Sequence, residues 1–226
     1  MPSYARRHQL SNSLIYHVFN RSNARAFIFQ RPEDFKHFME LLRFYARKFN
    51  LRIYHWVIMS NHYHLLLELD EPGLLSKIMS GLNRAYTHYS HKTYKSSGLL
   101  WQGRFKSQPV QKENYILACG RYIERNPLAA NIVGISQASD YPYSSARFYC
   151  LGISDGLTLP DQLYLELGDN DLKRQSKYKQ FLRNFDQEEE KLFANLEAPA
   201  GNIEFIKRLV WECGRLMPRR AGNLRK

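Results

Sequence analysis

WVIMSNHYHLLLEL, residues 56–69, decides the fold. Residues 51–59 (LRIYHWVIM) are rich in β-branched and aromatic side chains, which predicts a strand. Ser60-Asn61 is short and polar and suits a tight turn. Residues 62–69 (HYHLLLEL) predict a second strand, so the two make a hairpin. Period-two alternation then places His62 and His64 on one face and Tyr63 on the other.

The elements on either side complete a pattern. Residues 14–20 (LIYHVFN) predict a first strand. Pro32 opens a helix whose Phe35, Phe38, Met39, Leu42, Tyr45, Ala46 and Phe49 recur at helical spacing. Pro72-Gly73 precedes a second helix over about 74–94, with Leu75, Ile78, Met79, Leu82, Tyr86 and Tyr89 on its apolar face. Arg84, His88 and Lys92 make a basic stripe on that helix. Residues 104–110 predict a fourth strand, at a sheet edge because of Pro109. A third helix runs from Glu113 to about Asn126, where Pro127 ends it. The order βαββαβ is that of an α+β, ferredoxin-like (RRM-like) antiparallel sheet with helices on one face, followed by a further helix. Gly and Pro cluster over 151–160, dividing residues 1–150 from a mostly helical extension at 151–226. Helices are expected over about 171–196 and 202–216, and a basic tail over Arg215–Lys226.

Charge points to a polyanion. The 226-residue chain carries +12, and its distribution is uneven. Residues 1–150 hold 20 Lys/Arg against 9 Asp/Glu, residues 151–214 hold 8 against 12, and residues 215–226 hold 5 against none. A basic body with a mildly acidic segment and a basic tail suits nucleic acid. No apolar run is long enough to span a membrane, and no signal core follows Arg6 and Arg7. Cys119, Cys150 and Cys213 lie far apart, which suggests neither a zinc site nor a disulfide framework and fits a reducing cytoplasm.

Two groups of residues offer chemistry. Two imidazoles side by side on a rigid strand, as at His62 and His64, can share one divalent cation, although a bare His-x-His also arises by chance. His17 and His55 lie in strands and are expected to be core or face histidines, while His88 and His91 lie on a polar helix face. On the third helix Tyr122 and Asn126 share a face, as i and i+4. A phenol can attack a phosphodiester that a metal polarises, and Asn126 can add an oxygen ligand. Tyr115 sits two turns earlier on a similar face, and spacing does not choose between the two tyrosines.

Four segments in order carry a family resemblance. Residues 56–67 resemble the HUH strand of single-strand DNA transposases. Trp101-Gln-Gly-Arg104-Phe-Lys106-Ser resembles the segment leading to their catalytic helix, and Arg121-Tyr122-Ile-Glu-Arg-Asn126-Pro127 resembles that helix. Asp140-Tyr-Pro-Tyr-Ser-Ser145 resembles the segment after it, and residues 201–207 and Pro218-Arg-Arg are similar to the group's tails. Together they resemble the REP-associated tyrosine transposases, relatives of the IS200-like enzymes. That resemblance implies Mg2+ or Mn2+ held by His62, His64 and Asn126, and it selects Tyr122 over Tyr115 as the nucleophile. It implies a single-stranded DNA endonuclease and strand transferase that acts on hairpins of repetitive extragenic palindromes. The products are a 5′-phosphotyrosine link and a free 3′-hydroxyl. Related enzymes act as monomers or as homodimers, and both states are open here. The sequence departs at Tyr63, where the family often has a smaller or apolar residue, and at Asn126, where related enzymes can have Gln.

Candidate DNA contacts are Arg21, Asn23 and Arg25 after the first strand, beside Asn20. Arg84 and Lys92 come from the basic stripe, and Arg104 and Lys106 precede the catalytic helix. Trp101 and Phe105 are candidate stacking platforms for unpaired bases. A repeat-binding protein that does not cut is the alternative reading. An RRM-type RNA binder is disfavoured, because no strand carries the RNP1 signature.

Overall fold

The computed structural model describes residues 14–132, 136–184, 187–196 and 198–213. Its frame is a sheet of four antiparallel strands: β1 (Ile15–Arg21), β2 (Arg52–Ile58), β3 (His62–Glu68) and β4 (Lys106–Val110). They lie side by side in the order β2-β3-β1-β4, the split βαβ arrangement. β4 is an edge strand, as its proline requires. It starts two residues later than the sequence pattern suggests. The β2-β3 connection is a tight turn, closed by the Met59 amide donating to the His62 carbonyl at 2.8 Å. The amides of Ile28 and Phe29 both donate to the Ser60 carbonyl, so the segment after β1 braces this turn.

Each face of the sheet is covered differently. α1 (Pro32–Phe49) and α2 (Leu75–Tyr94) lie on one face. Tyr16, Val18, Ile53, Trp56, Ile58, Tyr63, Leu65 and Leu67 from the sheet form one buried cluster with Phe35, Phe38, Met39 and Leu42 of α1 and Leu75, Ile78, Met79, Leu82 and Tyr86 of α2. The other face takes α3 (Lys112–Glu124), whose Ile116, Cys119 and Ile123 meet Ile15, Val57, Leu66 and Val110. A bulge in β2 marks this face. Ile53 pairs with Leu67 and His55 with Leu66, leaving Tyr54 as the extra residue. Consequently the consecutive side chains of Tyr54 and His55 both serve the α3 side: Tyr54 donates to Glu68 at 2.5 Å and His55 meets Glu124 at 2.9 Å.

The described residues that follow α3 pack back onto this unit. α4 (Asn126–Ala129) follows α3 directly, and α5 (Ala146–Leu151), α6 (Gln162–Leu165) and α7 (Asp171–Arg183) share a second small core around Tyr149, Tyr164 and Tyr178. α8 (Gln187–Ala194) lies against α3, and α9 (Ile203–Cys213) lends Phe205 and Leu209 to the main core. The single helix expected over 171–196 is therefore two. Its interruption coincides with an arginine capture: Arg121 donates to the carbonyls of Phe181 and Asn184, and Arg125 donates to that of Leu182. The acidic segment thus has a local use, since Glu189 of α8 pairs with Arg121 of α3. The basic tail and the N-terminal Arg6 and Arg7 lie outside the described residues. No helix among the described residues is long and apolar enough to cross a membrane.

Candidate active site

Register alone gathers the site. Arg21 of β1 lies opposite His62, Phe19 opposite His64 and His17 opposite Leu66, so all share the α3 face. On the other flank of β1, Phe19 lies opposite Lys106 and His17 opposite Gln108. Rings meet here: His62 and His64 are 5.3 Å apart between centroids, and Phe19 lies 4.7 Å from His64 and 5.8 Å from His62. Tyr63 points to the opposite face, where it donates to Asn83 at 2.9 Å. Tyr122 descends on this cluster from α3, its ring 5.8 Å from His64 and 5.7 Å from His17. Tyr115 has its ring 6.4 Å from that of Phe193, a ring that also lies 6.0 Å from Tyr122.

Asn126 is oriented by the proline after it. Pro127 has no N–H, so the helix cannot continue its ladder to the Ile123 carbonyl. The side-chain amide of Asn126 donates there instead, at 3.2 Å, and to the Tyr122 carbonyl at 3.0 Å. Its Oδ1 is thereby turned outward, 3.4 Å from His62 Nε2. The other end of His62 is also fixed. Asn61 donates its side-chain amide to the Arg25 carbonyl, so its Oδ1 accepts from His62 Nδ1 at 2.6 Å. His62 Nε2 then carries a lone pair that faces the lone pairs of Asn126 Oδ1. Two acceptors in that position call for a positive charge between them.

At neutral pH a proton does not supply that charge. Burial pulls His62 down to about 4, against the upward pull of Asn126 and with a further downward push from the Arg21 charge. Burial likewise takes His17 to about 4, with Gln108 pulling the other way, and His64 well below its usual value. Neutral imidazoles beside an outward amide oxygen suit a divalent cation with mixed nitrogen and oxygen ligands. Among the described residues no three His, Cys, Asp or Glu side chains converge on a metal-sized gap. The third ligand on offer is the Asn126 amide, which lies outside that set. Tyr122 is neutral as well: burial, with small contributions from Cys119 and Glu190, raises its phenol to about 12.

Residues 10–126 match the family model of IS200-like transposases. The chain belongs to that family. Among solved structures it is similar to a REP-associated tyrosine transposase bound to a REP hairpin, with a TM-score of 0.56 at 20% identity over 71% of this chain and 93% of that one. Among curated proteins none is similar enough to match.

The remaining sequence candidates divide by face. Arg21 of β1 and Lys106 of β4 lie on one side of His62 and His64, although Arg21 also donates twice to Gln102. Asn23 and Arg25 form an exposed turn beside Asn61, in which Ala24 and Arg25 both have positive φ, 50° and 56°. Arg104 is exposed just before β4. Arg84 and Lys92 are exposed on α2, on the far side of the sheet from the histidines. Trp101 needs correction as a stacking platform. It is only 9% exposed, packs 5.6 Å from Tyr63, and donates its indole N–H to Asn83 and Thr87. Phe105 is buried too, and Asn20 is 4% exposed. Sequence reasoning does not place Phe19, His17, Gln108 or Asn61 in the site. Phe19 and His17 alternate with Arg21 along β1, a signal that becomes readable once β1 is paired with β3.

Proposed function

We propose that this family member is a metal-dependent single-stranded DNA endonuclease and strand transferase acting through Tyr122 on hairpin repeat DNA. The observation that carries this is the pair of facing acceptors, His62 Nε2 and Asn126 Oδ1, one helical turn from Tyr122. His62, His64 and Asn126 would hold Mg2+ or Mn2+. When bound, the ion polarises the scissile phosphate and favours the ionised phenol. The Tyr122 oxygen forms the new bond to phosphorus, the bond to the 3′ oxygen breaks, and the phenol proton is balanced by one taken up on the 3′-hydroxyl. The 5′-phosphotyrosine keeps the bond energy, so attack by a 3′-hydroxyl reverses the step and joins strands.

Arg21 and Lys106 place positive charge on the β1 and β4 side of His62 and His64, where they can hold phosphates. Phe19 is half-buried over the histidines and offers a ring to an unpaired base. The hairpin substrate is proposed by analogy with the solved REP-hairpin complex. Residues 1–150 would form the catalytic unit and 151–226 a mostly helical extension, in the cytoplasm. A non-cutting repeat binder is the second reading. It is favoured by one contact, Phe193 of α8, which is buried against Tyr122 with ring centroids 6.0 Å apart.

Incubation with labelled single-stranded hairpin DNA and Mn2+, run on a denaturing gel, separates the two. A DNA–protein adduct that disappears in Tyr122→Phe supports the nuclease. Tight hairpin binding without adduct at any metal concentration would sink it in favour of the binder.

A further inference from the structure

His17 sits beneath the candidate metal pair and is spent on neither DNA nor solvent, being fully buried. Its neighbours fix the direction of every hydrogen bond around it. Gln108 is the anchor. Its amide donates to three carbonyls of the segment at the end of α8 and beyond, those of Leu192, Asn195 and Ala198, at 3.0, 3.0 and 2.7 Å. With both amide hydrogens engaged, Gln108 Oε1 can only accept, and it faces His17 Nδ1 at 3.4 Å. This is the loosest link, yet its sign is set. In the other tautomer a ring lone pair would face the Gln108 oxygen. His17 Nδ1 therefore carries the proton, and His17 Nε2 is left as an acceptor. It lies 2.8 Å from His64 Nδ1, which must donate.

We propose that His17 and Gln108 are positioning residues that hold His64 as its Nδ1–H tautomer, leaving its Nε2 lone pair for the metal. Metal-binding histidines commonly have their tautomer set by the hydrogen bond at the other ring nitrogen. The partner here is a second, neutral histidine, and its polarity is set in turn by backbone carbonyls of the C-terminal extension. His62 receives the same setting from Asn61. The two candidate ligands are thus oriented from opposite ends of the site, one by a hairpin turn and one by the segment at residues 192–198. This relay rests on the metal reading of His62 and His64.

The test uses the full chain labelled with 15N on histidine, and two substitutions. His17→Gln keeps one acceptor and one donor at similar spacing, whereas His17→Phe removes both. Nitrogen NMR of the metal-free protein reads the His64 tautomer, and calorimetry reads Mn2+ affinity. The expected result is Nδ1–H in the parent and in His17→Gln, and Nε2–H in His17→Phe. Mn2+ affinity should fall about 10–100-fold in His17→Phe and recover most of that in His17→Gln. Lost packing alone shifts thermal stability and leaves the tautomer unmoved. If His17→Phe fails to fold, Gln108→Met removes the acceptor while keeping the length, with the same expected switch. An Nε2–H tautomer in the parent overturns the relay, and so does unchanged tautomer and affinity in a folded His17→Phe or Gln108→Met. If the parent binds no Mn2+, the metal reading fails, while the tautomer comparison still decides the relay.

Discussion

Two buried histidine clusters lie on the same face of one sheet, under one helix, and they differ in a single ingredient. At one end of the sheet, the hydrogen-bond and ring partners of His17, His62 and His64 include the neutral groups Asn61, Asn126, Gln108 and Tyr122, and the charge that acts on His62 is the cation Arg21, which pushes it further down. Further along, His55 meets two carboxylates, Glu124 at 2.9 Å and Asp161 at 3.7 Å. Burial pulls every one of these rings downward, but only at His55 do charges outweigh it, and they hold that ring up at about 9. His55 is therefore a cation in the core. Glu124 is also bonded by Ser145 at 2.6 Å and by Tyr178 at 2.9 Å, so the cluster pins α3 to β2, to the start of α5 and to α7. Its tightness shows at Gly120, where a Cβ would sit 2.5 Å from the His55 ring. A carboxylate neighbour thus turns a buried imidazole into a structural ion, and without one the buried rings stay neutral, the form the proposed metal site needs.

The strongest way to break this contrast is at the neutral end. Tyr122→Phe should lower DNA cleavage by about 10³-fold or more and abolish the covalent adduct. Hairpin affinity, measured by gel shift, should hardly change. At the charged end, Glu124→Gln leaves His55 short of a counter-ion and should destabilise the fold by on the order of 3 kcal/mol. Denaturant melts read that loss, and Mn2+ calorimetry should stay near the parent value. Equal losses of both would mean that the two clusters are one.

A pH series sharpens the same distinction. The folded pKa of His55 is raised, so its stabilisation is complete below the unfolded value of 6.5 and is lost as pH rises through about 9. The melting temperature should fall over that window, and His55→Gln should flatten the fall. An unchanged slope in the variant would rule out His55 as its source. The smallest effect concerns phosphates. Lys106→Ala should weaken hairpin binding by a few-fold and reduce the salt slope by about 1, with little dependence on DNA sequence.

Much of the fold and of the candidate site is legible in the sequence. Period-two alternation separates Tyr63 from His62 and His64, and helical spacing puts Tyr122 and Asn126 on one face. Pro109 marks its strand as an edge. Trp101 misleads, because an aromatic in a polar segment looks the same whether it stacks on bases or fills a core, and only its 9% exposure distinguishes the two. The helix break near residue 184 is hidden because its carbonyls are taken by Arg121 and Arg125, distant partners that no local pattern announces.

Strands, their faces away from the β2 bulge and the candidate chemical residues follow from sequence alone, because they depend on periods of 2 and 3.6 and on side-chain type. Which histidine carries charge is decided only by the packed fold. The period-two rule treats His17, His55, His62 and His64 alike, yet their charge depends on whether an acid arrives from another element. Glu124 comes from α3 and Asp161 from the chain just before α6, and both reach His55 beside a β-bulge that no spacing rule foretells. Low dielectric makes that arrival decisive. In water a nearby carboxylate shifts an imidazole little, whereas in the core it decides whether the ring is an ion or a neutral base.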